Sequence, residues 1–150
     1  MDDDEAISLE DATCLAQRVL LALAVGDVGE IELFTEDVIG ESPIINVRSR
    51  VELGNQLLDR AGGLSNVEFD LDHVEVTAPD TVVASFRVAG DFTGEVLFND
   101  DLLFSPTGRR IQVEGKTLVV FRQRRIAKFQ TFYDGENVLD QFRGGRSETG

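Results

Sequence analysis

The 150-residue sequence has one cysteine, one histidine, no tryptophan and only two lysines. The single cysteine, Cys14, cannot form a disulfide within the chain, and one histidine with one cysteine cannot build a His/Cys metal site. We therefore expect no metal and no cofactor. Cys14 falls in the apolar stripe of a predicted helix, which predicts a buried thiol that acts as a small hydrophobe.

Long apolar runs and an excess of positive charge are also missing. No stretch approaches the ~18 apolar residues of a membrane helix. The acidic start at residues 1–5 lacks the basic region of a secretory signal, so we expect a cytoplasmic protein without a membrane partner. The 28 acids against 14 bases give a net charge of -14, which would repel the phosphates of nucleic acid and argues against such a partner.

A hydrophobic content of 42% and a charged content of 28% are typical of an ordinary globular protein. The length favours one domain, which we expect at residues 8–143. An acidic arm at 1–7 and a polar tail at 144–150 are expected to be disordered and to carry no chemistry.

The first half of the chain has helical periodicity. Ser8 is a good N-cap, and apolar residues at helical spacing predict an amphipathic helix that ends at Gly26. Glycines close a further predicted helix. The predicted order is a short helix over 28–34, a turn at 35–37, an extended segment over 38–45 and a helix over 48–60.

The second half of the chain is predicted to form strands, because apolar and acidic residues alternate from Val67 to Asp72. Asp134 is placed to cap a short terminal helix. Helices followed by antiparallel strands predict an α+β fold. The strands are expected from residue 64 to a turn at 78–80, over 81–89 before a break at 90–94, over 109–113, over 116–122 and over 125–133.

This order of elements resembles the nuclear transport factor 2-like superfamily, and several short strings resemble its SnoaL-like polyketide cyclase branch. The strings are VGD at 25–27, ELFTEDV at 32–38, GDFTG at 90–94, PTGRR at 106–110, RI at 125–126 and FYD at 132–134. The resemblance implies a cone-shaped, curved antiparallel sheet wrapped around the long first helix, with two further short helices before the sheet. It also implies a pocket for a small apolar ligand and a homodimer formed through the outer sheet face.

Alternation in the last strand predicts which side chains face the cone. Ala127, Phe129, Thr131 and Tyr133 share one face and are expected inside. The opposite face carries Lys128, Gln130, Ile126 and Phe132. The last two are apolar residues that a monomer would expose, and they support the predicted dimer.

The resemblance also implies where catalytic residues would lie. Relatives of the cyclase and epoxide hydrolase kind place an aspartate where this chain has Thr131. A threonine hydroxyl does not titrate near neutral pH, so it cannot replace a carboxylate in acid/base work. Asp100 matches an acid of the epoxide hydrolases, which is the one agreement. The other positions at which relatives carry ionisable or donor groups are here Val19, Ser42, Phe92 and Phe98.

Two functions stay open. In the first, the chain binds a small apolar molecule through Phe34, Ser42, Phe86, Phe104, Phe129 and Thr131. In the second, it is an enzyme of the polyketide cyclase, ketosteroid isomerase or epoxide hydrolase kind that uses Asp100 for proton transfer and Tyr133 as an oxyanion donor. The first is preferred, because most of the acid/base set is absent.

Three further charged features are expected to be structural. Asp134 is predicted to be a helix cap instead of a catalytic acid, and His73 a surface imidazole paired with an acid. The basic hairpin at 122–125 is predicted to form salt bridges in preference to binding an anion.

Overall fold

A computed structural model describes residues 8–98 and 102–144. The predicted acidic arm, nearly all of the predicted tail and the candidate acid Asp100 therefore lie outside the described residues. Among the helices that the model describes, none is long and apolar enough to cross a membrane.

The described residues form three α-helices and one 3-10 helix, at the positions that the sequence signals predict. Helix α1 spans Leu9–Val25, between the side chain of Ser8, which accepts a bond from Asp11 N, and a left-handed Gly26. A 3-10 helix spans Val28–Leu33. Helix α2 spans Arg50–Arg60 after the cap Ser49, and helix α3 spans Gly135–Phe142. The predicted helices are confirmed, the short one as a 3-10 helix.

Six of the eight described strands form one sheet in the order β2-β1-β8-β7-β4-β3, and β5 and β6 form a small separate pair. The sheet is curved and α1 packs on its inner face, which confirms the predicted α+β class. The strands are β1 Phe34–Glu41, β2 Asn46–Val47, β3 Leu64–Ala78, β4 Thr81–Phe92, β5 Val96–Phe98, β6 Leu102–Phe104, β7 Arg110–Arg122 and β8 Arg125–Phe132.

One pair departs from the predicted antiparallel arrangement, because β1 runs parallel to β8. The turn predicted at 35–37 is also wrong, since these residues lie within β1. Phe34 and Thr35 are buried, and the register with β8 shifts between Phe34 and Ile39. The acidic residues at 36–37 therefore mark an exposed irregularity of the strand and do not reverse the chain.

Two predicted interruptions are continuous strand. β4 continues through Gly90 to Phe92, and β7 is one strand across Gly115. A Cβ on Gly90 would lie 3.1 Å from Leu64 Cβ, so this glycine allows close packing of β3 on β4. The chain leaves the sheet at Thr93, three residues later than predicted.

A bulge in β8 reverses the predicted side of Ile126. Lys128 pairs with Val120 and Ile126 with Phe121, which leaves Ala127 without a partner in register. The extra residue breaks the two-residue period. Ile126 is therefore fully buried in the core beside Phe121, and the predicted outward position is wrong.

The position predicted for Cys14 is also wrong, because its side chain is exposed. The buried face of α1 includes Ala12 and Ala16, which are fully buried. Cys14 lies two residues from each, about 200° around the helix. The Cys14 side chain therefore lies on the opposite face of the helix, which faces solvent.

Candidate functional site

An apolar cavity of about 150 Å³ lies between α1, α2, α3 and the inner face of the sheet. Each element contributes apolar side chains at positions that its own period turns inward. Representative lining residues are Leu20 from α1, Leu53 from α2, Phe86 and Val88 from β4, Phe129 from β8 and Phe142 from α3.

Four polar side chains interrupt this lining: Ser42, Arg60, Thr131 and Tyr133. Three are hydroxyls and one is a guanidinium. No carboxylate belongs to the lining that the described residues form. Elsewhere in ranges 8–98 and 102–144, no three His, Cys, Asp or Glu side chains cluster as a metal site.

The sole tyrosine, Tyr133, is held in place by the loop that follows β1. The Ser42 hydroxyl donates to Ile45 O at 2.9 Å and accepts from Ile45 N at 3.0 Å. Tyr133 also bonds with Ser42 and with the backbone of Ile44. Burial raises the pKa of the Tyr133 phenol, while these bonds and the charge of Arg60 oppose the rise.

Tyr133 is expected to ionise above pH 10 in the native protein and near pH 10 in the unfolded chain. As pH rises through this window the unfolded state loses its proton first, so the free energy of unfolding should fall. Phenolate absorbance during an alkaline titration reads this group alone, because the chain has no other tyrosine and no tryptophan. Identical native and urea-unfolded titrations would contradict the buried position.

Arg60, the last residue of α2, is buried, with 9% of its surface exposed. It donates to Leu23 O of α1 at 2.8 Å and to Gln56 O of α2 at 3.2 Å, and its guanidinium carbon lies 5.8 Å from the centroid of the Phe98 ring. Burial lowers the pKa of Arg60 to about 10, which leaves it charged at neutral pH. The cavity therefore has a cation in its wall.

Thr131 is hydrogen-bonded to the neighbouring strand. Its hydroxyl lies 3.1 Å from that of the buried Thr117, which also donates to Gln130 O at 3.2 Å. The hydroxyl pair joins β7 to β8.

The predicted binding residues divide into two groups. Ser42, Phe86, Phe129 and Thr131 line the cavity, as does Tyr133. Phe34 and Phe104 do not. The Phe34 ring is fully buried behind Phe129, with centroids 6.0 Å apart, and Phe104 packs behind Phe98 and Phe142. Other rings therefore separate Phe34 and Phe104 from the described cavity.

Asp134 is the N-cap of α3, as predicted. Its carboxylate accepts from Asn137 N at 3.0 Å. Asp134→Ala should lower the free energy of unfolding by about 0.5–2 kcal/mol, while Asp134→Asn retains the acceptor and should cost much less. Urea denaturation measures both. Equal losses for the two variants would show that the charge, and not the cap, matters.

The other charged features also form the expected pairs. His73 is exposed, with Nε2 3.6 Å from Glu75 Oε1. In the basic hairpin, Arg122 pairs with Asp37 at 2.6 Å and Arg124 with Asp11 at 3.4 Å. These exposed pairs take no part in the cavity.

Sequence reasoning missed Arg60. It ends a helix in the ordinary position for a basic residue that offsets the helix dipole, so nothing local marks it as buried. The one available signal was Gly26, whose close approach to α2 brings the last turns of α1 and α2 together around the guanidinium.

Comparison with known proteins identifies the family. The model of the SnoaL-like domain matches residues 16–129, and the chain therefore belongs to this family. The resemblance to the nuclear transport factor 2-like superfamily is confirmed with it. No curated protein matches the chain.

Solved structures share the fold. TsrD from Streptomyces laurentii aligns with a TM-score of 0.70 and 18% identity over 93% of this chain and 98% of its own. An LEH-like epoxide hydrolase from M. tuberculosis aligns at 0.65 and 14%, over 91% and 92%. A ketosteroid isomerase-like protein from Erwinia carotovora atroseptica SCRI1043 aligns at 0.59 and 17%, over 83% and 95%. At such identities the likeness concerns the fold alone.

Proposed function

We propose that this chain is a small-molecule-binding member of the SnoaL-like family, whose cavity takes a small apolar ligand without acid/base catalysis. The observation that carries the proposal is the lining of the described cavity, which is apolar except for three hydroxyls and one guanidinium. An apolar cavity with a few convergent polar groups is the usual form of a ligand site. Proton transfer near neutral pH needs a titrating group that this lining lacks.

Native mass spectrometry of the purified protein tests binding, because a ligand that co-purifies adds its mass to that of the chain. We expect a hydrophobic compound that is released on unfolding. A matched comparison uses Phe86→Trp, which adds volume in the cavity, and Phe104→Trp, which adds volume behind it. Loss of the compound from both variants, or from neither, would contradict binding in this cavity.

The alternative is an enzyme of the cyclase, isomerase or epoxide hydrolase type. The position of Tyr133 favours it, because a protonated phenol in an apolar cavity can stabilise a developing oxyanion. Asp100 would then transfer the proton. Turnover of the co-purifying compound that is lost in Asp100→Asn, with binding retained, would establish the enzyme and overturn the binding protein.

We further propose a homodimer through the outer face of β4, β7 and β8. Phe132 is 59% exposed there, and both lysines of this acidic chain, Lys116 and Lys128, lie on the same face. Each copy has a net charge of -14, so electrostatic repulsion between two copies would be weakest where this less acidic surface forms the contact. Light scattering at micromolar concentration should give the monomer mass for Phe132→Glu. The control variant Leu103→Glu changes an equally exposed residue on β6 and should retain the dimer mass. Monomer mass for the unmodified protein would rule the dimer out.

A further inference from the structure

Burial sets Arg60 apart from the other arginines that the model describes. Arginines that form ion pairs with described carboxylates include Arg18, Arg50, Arg87, Arg110, Arg122, Arg124 and Arg143. All seven side chains reach solvent. The bonds of Arg60 go to two backbone carbonyls instead, and no described carboxylate lies within ion-pair distance of it.

Burial of a guanidinium without a counter-ion costs free energy, because the charge loses the water molecules that would solvate it. The carbonyl ends of α1 and α2 offset part of this cost, since Leu23 O lies in the last turn of α1 and Gln56 O lies just before the last turn of α2. Asp59 adds attraction without a hydrogen bond. The two carbonyl bonds use only part of the donor capacity of the guanidinium, and Arg60 also forms part of the cavity lining.

Tyr133 complements this cation. Arg60 and Tyr133 line the same cavity and lie close enough for the charge of Arg60 to influence the phenol. A guanidinium and a phenol together present donors to an oxygen that carries negative charge. Every polar side chain in the described lining is a cation or a hydroxyl, so nothing there pairs with a cationic ligand.

The size of the cavity limits the rest of the ligand. A cavity of about 150 Å³ is the size that accepts benzene in an apolar protein interior. One six-membered ring or a branched chain of similar volume therefore fits.

We propose that the ligand of this cavity is a small apolar monocarboxylate, with its carboxylate on Arg60 and Tyr133 and its hydrocarbon part against the apolar lining. This inference rests on the proposed binding function and specifies its ligand class. A carboxylate matches the planar guanidinium, because its two oxygens can accept two parallel N–H bonds.

Three probes of one shape test it: cyclohexanecarboxylate, neutral cyclohexanecarboxamide and cationic cyclohexylmethylamine. The fluorescence of Tyr133 reports binding, because the chain has no other tyrosine and no tryptophan. A charge-assisted bond is worth more than a neutral one, so we expect the carboxylate to bind at least about tenfold more tightly than the carboxamide. The amine should bind most weakly.

Matched variants assign the preference to Arg60. Arg60→Met and Arg122→Met each remove one positive charge, the first inside the cavity and the second on the surface beside Asp37. We expect the preference for carboxylate over carboxamide to fall below about twofold in Arg60→Met and to persist in Arg122→Met. Circular dichroism checks that both variants fold. If Arg60→Met does not fold, the three probes on the unmodified protein decide alone.

The outcomes separate this inference from the function on which it rests. Equal affinity for carboxylate and carboxamide, or a preference that survives in folded Arg60→Met, would overturn the carboxylate site and leave an apolar binding protein. Binding of none of the three probes would overturn both proposals.

Discussion

Gly26→Ala is expected to destabilise the protein by about 2–5 kcal/mol, because two independent costs add at this position. Gly26 has a φ of +73°, a conformation that costs an L residue about 1–2 kcal/mol. An added Cβ would also overlap Leu57 O and lie 2.7 Å from Ala61 N, where backbone atoms cannot move aside as a side chain can. Overpacking of this kind costs about 1–3 kcal/mol.

Gly62→Ala is the matched control. Its φ of +79° carries the same conformational cost, but a Cβ there would meet no atom within 4 Å. The gain from restricting the unfolded chain is the same in both variants. The difference between them in urea denaturation therefore measures the contact alone, and equal losses would contradict the close approach of α1 to α2.

The contact at Gly26 also positions the cavity wall. The Cβ would lie 2.8 Å from Arg60 C, and Arg60 bonds to Leu23 O three residues before Gly26. Displacement of α2 would therefore move the guanidinium from its carbonyl partner.

Phe129→Ala and Phe34→Ala are each expected to lower the free energy of unfolding by about 3–5 kcal/mol. Both rings are buried and they pack edge to face, with centroids 6.0 Å apart. Removal of the Phe129 ring leaves a void beside Gly40, which has no side chain to fill it.

Milder variants separate stability from binding. Phe129→Leu and Phe34→Leu retain an apolar side chain, so folding should survive in both. Only Phe129 lines the cavity. We expect the affinity for cyclohexanecarboxamide to change severalfold in Phe129→Leu and to stay within about twofold in Phe34→Leu, measured by Tyr133 fluorescence. Equal changes in the two variants would contradict the position of Phe34 behind the cavity.

The sequence predicted the features that local chemistry decides. The caps Ser8 and Asp134, the stop at Gly26 and the inward face at Phe129 and Thr131 all follow from short-range bonds or from a period.

The errors arise where distant contacts decide. A single bulge at Ala127 turned Ile126 inward, and alternation contains no sign of a bulge. Phe34 and Phe104 have the composition of lining residues, but their place behind other rings depends on how strands and helices pack. Arg60 was missed for the same reason, because its burial comes from two helix ends that meet in space.

The most direct test of the cavity as a ligand site uses the ring of Tyr133, labelled with carbon-13 and observed by NMR. The chain has one tyrosine, so every tyrosine signal reports from the cavity. On titration with toluene, an uncharged probe of matching size, we expect these signals to shift saturably at one equivalent per chain. Signals that stay unchanged while toluene binds elsewhere, or no binding at all, would contradict a ligand site between α1 and the sheet.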